Sequence, residues 1–177
     1  ICEGGIASLH STVIGGSGTN AYQWQIFDNN LSDWVDIDGA NGADYTSGLL
    51  ALGTYEYRIF VTQNTGCESA ADGIIIVVTP DITITSQPQG GSICSGGNIT
   101  MNVTATGATN IQYQWEVLMG ADWVPIAGAT MSSYNTGALT TTTQYRVFVF
   151  ATESGCEDTY SEEIEVIVIP DIVITSD

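Results

Sequence analysis

The chain has 177 residues, twenty of them acidic and two basic, for a formal net charge of −18. That length holds one or two domains, each large enough for a core. The acid excess excludes a nucleic-acid partner, whose phosphates are met by Lys and Arg displacing counterions, and an anionic membrane face; a hydrophobic share of 44% opposes disorder.

Ile1-Cys2-Glu3-Gly4-Gly5 has neither the basic start nor the apolar stretch of a signal peptide, so the segment reads as mature or cut from something longer. Leu9, Ser11 and Val13 then alternate with His10 and Thr12, and Tyr22, Trp24 and Ile26 alternate with Gln23 and Gln25. Both patterns predict strands, with turns at Gly15-Gly16-Ser17-Gly18 and Asp28-Asn29-Asn30. After a further turn at Gly39-Ala40-Asn41-Gly42, Tyr55, Tyr57, Ile59 and Val61 alternate with Glu56 and Arg58. Residues 74–79 read as a buried last strand. Their aliphatic run is far short of the roughly 20 residues of a membrane helix, so no membrane insertion is expected.

From Pro80 the order repeats. Pro80-Asp81-Ile82-Thr83-Ile84-Thr85-Ser86 leads into Ile93-Cys94-Ser95-Gly96-Gly97, the match of residues 1–5. Tyr113-Gln114-Trp115 matches Tyr22-Gln23-Trp24. Trp123 and Tyr134 match Trp34 and Tyr45, Tyr145-Arg146 matches Tyr57-Arg58, and Gly155-Cys156-Glu157 matches Gly66-Cys67-Glu68. Pro170-Asp171-Ile172 then matches Pro80-Asp81-Ile82. The expected division is therefore 1–80, a first repeat lacking its first strand; 81–170, a second repeat; and 171–177, the first strand of a following repeat or a strand donated to another molecule. About seven short strands per repeat, with a Trp on an early central strand, predict an all-β chain of tandem Ig-like sandwiches. Trp24, Trp115, Tyr57 and Tyr145 are expected in their cores.

Four cysteines permit three pairings, and the repeat favours Cys2 with Cys67 and Cys94 with Cys156, one disulfide inside each domain. Such a bridge implies an oxidising, extracytoplasmic setting. Two Cys per copy, without a C-x-x-C pair, do not make a zinc site.

The order Ile-Cys-x-Gly, Tyr-Gln-Trp, Ile-x-Gly-Ala, Tyr-x-Tyr-Arg and Gly-Cys resembles the Ig-like or PKD-like repeats of large secreted surface proteins of Bacteroidota, including gliding-motility-type adhesins. The resemblance covers both copies. It implies a sandwich array used as a stalk, fibre or adhesive surface at the bacterial cell surface, and it brings no catalytic residues.

Arg58 and Arg146 are the whole basic inventory, at equivalent positions. A structural role is expected, the guanidinium pairing with a carboxylate such as Glu56 or Glu116, or stacking on Trp34 or Trp123. Those two Trp are otherwise the candidate binding surface, since sugar-binding modules stack ligands on exposed indoles. Asp28, Asp33, Asp36 and Asp38 are weak calcium candidates, because only Asp122 recurs in the second copy. Lysine is missing, which removes a Walker lysine and a Schiff base; no Ser-His-Asp set occurs twice. The expectation is a non-enzymatic repeat module without cofactor. Its expected partners are neighbouring repeats, copies of itself in a fibre, or a surface glycan. The alternatives are a glycan- or partner-binding module, or a filament subunit assembling through 171–177.

Overall fold

The computed structural model describes residues 1–153 and 155–173, among which every regular element is a β-strand. The chain divides into two compact units: Ile1–Pro80 with Glu153–Gly155, and Asp81–Thr152 with Cys156–Asp177.

In unit 1, β1 (Ser8–His10) pairs antiparallel with β4 (Asp44–Thr46). A second sheet runs β3 (Asp33–Asp36), β2 (Asn20–Asp28), β5 (Gly53–Gln63), and then β6 (Glu68–Ala70) and β7 (Ile74–Val78), which pair with opposite ends of β5. Period-two alternation decides which side chains meet. Tyr57 and Ile59 of β5 are buried while Arg58 and Phe60 between them are half-buried. Leu9, Trp24, Ala40, Tyr57 and Ile59 form the core cluster, with Tyr45 of β4 packed against it. The Trp24 ring lies 6.0 Å from that of Tyr45. Its indole N–H donates to the Gly42 carbonyl at 3.1 Å, so the largest core side chain leaves no orphan donor.

Unit 2 repeats the plan. It contains β8 (Thr83–Ser86), β9 (Gly91–Cys94), β10 (Thr100–Asn102), β11 (Thr104–Thr106), β12 (Gln112–Met119), β13 (Asp122–Pro125), β14 (Ser133–Asn135), β15 (Thr143–Phe150), β16 (Thr159–Tyr160) and β17 (Ile164–Ile169). β10 pairs with β14, and the larger sheet runs β13-β12-β15-β17-β9, with β16 also on β15. Trp115, Tyr145, Val147, Val149 and Val166 are buried. The Trp115 indole N–H donates to the Met131 carbonyl at 2.9 Å. β8 pairs antiparallel with β11, and β9 lies parallel to β17. The latter pairing requires Gly90, where a Cβ would sit 2.1 Å from the Glu165 carbonyl oxygen.

Two differences separate the units. In unit 1 the parallel pairing shrinks to a single bridge, Cys2 with Thr79. Residues 12–14, the counterpart of β11, carry no strand and border a groove of about 400 Å³ that reaches Trp24 and Ile59. The strand expected at 171–177 lies outside the described residues from 174 onward; Ile172 and Val173 before it are exposed.

The cysteine pairing expected within each copy is corrected by the structure. Cys67 and Cys94 are exposed free thiols, while Cys2 and Cys156 are disulfide-bonded. The reason is strand register. Cys2 bridges Thr79, next to Val78, which pairs with Gly53 at the start of β5; Cys67 follows Gln63 at the other end of that strand. Ten residues of strand separate the two ends by about 33 Å, whereas a disulfide needs Cα atoms within about 7 Å. In unit 2, Cys94 pairs with Ile169 beyond the Thr143 end of β15, and Cys156 lies beyond its Phe150 end. That separation is at least ~23 Å. Each repeat carries its two cysteines at opposite poles.

Candidate functional site

The inward residues of β5 and β15 build the core, which leaves their outward residues as the chemistry-bearing face. In unit 2 the Arg146 Nε donates to Glu116 Oε2 at 2.7 Å, with side-chain exposures of 21% and 10%. Its guanidinium carbon sits 4.6 Å from the Trp123 ring centroid and 4.1 Å from that of Tyr160. The cation is held between two aromatic faces and neutralised from one edge. Phe148 continues the row, 4.8 Å from Tyr160 and 5.1 Å from Phe150.

Unit 1 builds the same staple with different atoms. The Arg58 guanidinium carbon lies 4.3 Å from the Trp34 centroid, and its Nε donates to Gln25 Oε1 at 2.7 Å. Gln25 in turn donates through Nε2 to Asp36 Oδ1 at 2.7 Å. Gln25 and Asp36 are cross-strand partners, as are Glu116 and Pro125 in unit 2. The carboxylate has thus moved from one member of the pair to the other, and where it is distant a neutral amide relays it. Glu56 takes no part; its carboxylate lies against Gly73. Ala70 stands where unit 2 has Tyr160, since each pairs with the equivalent Phe, and Thr62 replaces Phe150. The aromatic row is therefore a property of the second repeat.

Trp34 and Trp123 are half-buried, and each has one ring face covered by its own arginine. A sugar stacked on that face would have to displace a cation. The exposed aromatic edge belongs instead to Tyr160, 47% exposed, a residue that period-two reading passes over because only its contacts mark it.

The acidic loop of unit 1 spends its oxygens locally. Asp28 Oδ1 accepts from the backbone N–H groups of Asn30 and Leu31, Asp33 Oδ1 from that of Trp34, and Asp36 Oδ1 from Gln25. Among the described residues no group of three or more His, Cys, Asp or Glu is placed to hold a metal ion. His10 faces Asp44 across β1 and β4 and bonds to it through Nδ1, both side chains being exposed.

A second pair of recurring residues escaped sequence reasoning. Gln23 Nε2 donates to the carbonyls of Trp24 and Ile37, and Gln114 Nε2 to those of Trp115 and Ile126. The Gln of each Tyr-Gln-Trp thus ties its strand to the chain entering the next turn. Inside each core a phenol is held in its neutral form. Burial, then the neighbouring Tyr45 and Tyr55, push the Tyr57 pKa up; burial and Tyr134 push that of Tyr145 up, against a smaller lowering by Thr143.

The family described as Domain of unknown function (DUF8696) matches residues 1–80 and again 83–170. No curated protein matches the chain. Among solved structures it is similar to an I-band fragment of titin, at 9% identity and a TM-score of 0.57, over 96% of this chain and 62% of that one. It is also similar to fibronectin(III)-like modules of Clostridium thermocellum CbhA, at 10% identity and a TM-score of 0.49, over 99% and 93% of the two chains. The likeness to Sidekick-1 immunoglobulin domains 1–4, at 13% identity and a TM-score of 0.43, covers 96% of this chain and 48% of that one. The chain therefore spans less than two thirds of the titin and Sidekick-1 chains. The titin likeness and the two-sheet units agree on the fold: an immunoglobulin-like β-sandwich, built twice.

Proposed function

We propose that this chain, which belongs to the DUF8696 family in both of its repeats, is a non-enzymatic structural module of a secreted bacterial stalk, fibre or adhesin at the cell surface. The observation that carries this reading is the twofold use of one set of parts. The Trp–Tyr core, the Gln ties and the arginine laid on Trp recur in both units, and each of them is spent on internal contacts. A residue kept for a ligand would be left with an open valence; these are satisfied by the fold. The charge of −18 adds a surface on which neighbouring copies repel, suited to a spaced array in salty water. Antibodies raised against the chain should label intact, unpermeabilised cells of the bacterium that makes it. Labelling that needs permeabilisation would contradict the proposal.

A second reading, a glycan- or partner-binding module, is favoured by one feature: the row Trp123, Arg146, Tyr160, Phe148 and Phe150, which unit 1 lacks beyond Trp34, Arg58 and Phe60. On that reading a glycan array gives binding that Tyr160→Ala removes. An array without signal for the unaltered chain leaves the row as packing.

A further inference from the structure

We propose that the groove of unit 1 is a strand-acceptor site, and that its occupant is residues 171–176 of a second copy of this chain, added antiparallel to residues 12–14. Repeated from copy to copy, this exchange builds a fibre without covalent links.

Unit 2 shows what fills such a groove. Its segment Asp81-Ile82-Thr83-Ile84-Thr85-Ser86 runs along β11, with Thr83 opposite Thr106, Ile84 opposite Ala105 and Ser86 opposite Thr104. The Thr85 hydroxyl donates to the Thr104 carbonyl at 3.2 Å and ties the segment to that strand a second time. Ile82 is buried and Ile84 half-buried, while Thr83 and Thr85 are exposed. Just beyond, Gln87 Oε1 accepts from the Glu162 N–H at 2.9 Å. The first strand of the repeat is thus a plug between β11 and the chain at 161–162.

Unit 1 keeps both walls of that site. Its groove of about 400 Å³ lies between Val13 and Ile14 on the side of the missing β11 and Ala70 and Ala71 on the other, and it reaches Trp24 and Ile59. Ala71 is the equivalent of Ser161, since their N–H groups donate to the carbonyls of the equivalent Ile59 and Val147. The exposures follow the plug. Ser161 and Val149 are buried in unit 2, whereas Ala71 is exposed and Val61, the match of Val149, is half-buried. Ile14 stands 91% exposed beside this edge.

The chain carries the plug sequence twice. Pro170-Asp171-Ile172-Val173-Ile174-Thr175-Ser176 differs from residues 80–86 at one position, Val173 for Thr83. Thr83 is exposed, so the change spares the two isoleucines that face inward in unit 2. Unit 2 already holds its own plug on β11, which leaves the second one no groove there. Ile172 and Val173 are accordingly 93% and 80% exposed. Strand addition joins such parts, main-chain bonds giving affinity and alternate side chains specificity. By the register of unit 2, Val173 comes to lie opposite Ile14, Ile174 opposite Val13 and Ser176 opposite Thr12. One groove and one spare plug per chain make each copy both donor and acceptor, a head-to-tail contact that propagates. The inference deepens the fibre reading and rests on it for its setting, but the purified chain alone tests it.

The test reads mass by light scattering after size exclusion. The unaltered chain should give oligomers that grow with concentration and survive reduction. A chain ending at Pro170 keeps the groove and loses the plug, whereas Val13→Pro keeps the plug and removes a strand N–H from the groove wall. Each should be monomeric alone, and mixing them should give a one-to-one dimer. A synthetic peptide of residues 170–177 should bind the truncated chain and slow amide exchange at residues 12–14. Ile172→Asp in that peptide should weaken binding about tenfold or more. The peptide arm needs no altered groove, so it decides the matter even where Val13→Pro does not fold. Oligomers unchanged by the truncation, or a peptide that leaves 12–14 unprotected, would overturn the proposal. An unaltered chain that stays monomeric, with 12–14 protected until residues 171–177 are removed, holds its own segment and overturns the second copy as occupant. Labelling of intact cells is indifferent to each of these results, so failure here and failure of the stalk reading are distinguishable.

Discussion

Removing the arginine from each repeat should cost the two units very different amounts, although sequence presents the positions as equivalent. Arg146→Ala takes away two aromatic contacts, each worth roughly 0.5–1 kcal/mol where partly exposed. It also takes away the partner of Glu116, which is only 8% exposed. A charged hydrogen bond of that kind contributes about 1.5–3 kcal/mol, and a nearly buried carboxylate left alone carries its own desolvation cost. Discounting overlap, unit 2 should lose about 3 kcal/mol. Arg58→Ala removes one aromatic contact and a bond to Gln25, a neutral side chain that keeps its link to Asp36. Unit 1 should lose about 1–1.5 kcal/mol. For a domain of this size each kcal/mol shifts the melting temperature by roughly 4–8 °C. Calorimetry should therefore show a shift of about 15 °C in one transition for Arg146→Ala and about 5–8 °C in the other for Arg58→Ala. Adding Glu116→Gln to Arg146→Ala should recover part of the larger loss. Equal shifts, or no recovery, would refute the account of how the charge is balanced.

Gly90→Ala should open the parallel pairing of β9 with β17, because the new Cβ meets a carbonyl oxygen that cannot move without its strand; amide exchange at residues 91–94 should rise, and unchanged protection would contradict the geometry. The raised Tyr57 and Tyr145 pKa values make stability fall in alkali. The unfolded phenols ionise near pH 10 and the folded ones later, so this contribution is complete below about pH 10 and is lost as pH climbs through the folded values. Denaturation midpoints measured from pH 8 to 11.5 should decline only at the upper end, and a flat profile would sink the claim. Added NaCl should raise the melting temperature, since it screens the mutual repulsion of a chain at −18, and a salt-independent melt would show that the surface charges are too well spaced to matter.

What the sequence made legible was whatever recurs at short range. Alternation over 22–26 and 55–61 locates β2 and β5 because one face of each strand is apolar and the other polar, and the repeat locates β12 and β15 by the same rule. The cysteine pairing was not legible. It hangs on a four-residue parallel strand, β9, whose register with β17 carries Cys94 to the far end of the sheet, and no local pattern announces a parallel neighbour 75 residues away. The exchange of a carboxylate between Gln25/Asp36 and Glu116/Pro125 was hidden for a related reason. Each change looks like drift until cross-strand pairing sets the two positions side by side. Tyr160 became visible only through its contacts with Arg146 and Phe148.

Pulling single molecules by their two ends tests the central claim, a structural module built of one sandwich used twice, most directly. With disulfides reduced, tension should unfold the chain in two separate events, one for each compact unit. Each event should lengthen the chain by roughly 250–300 Å, the full extension of one sandwich less its folded span. A single event of the combined length, or extension without any unfolding event, would contradict the account.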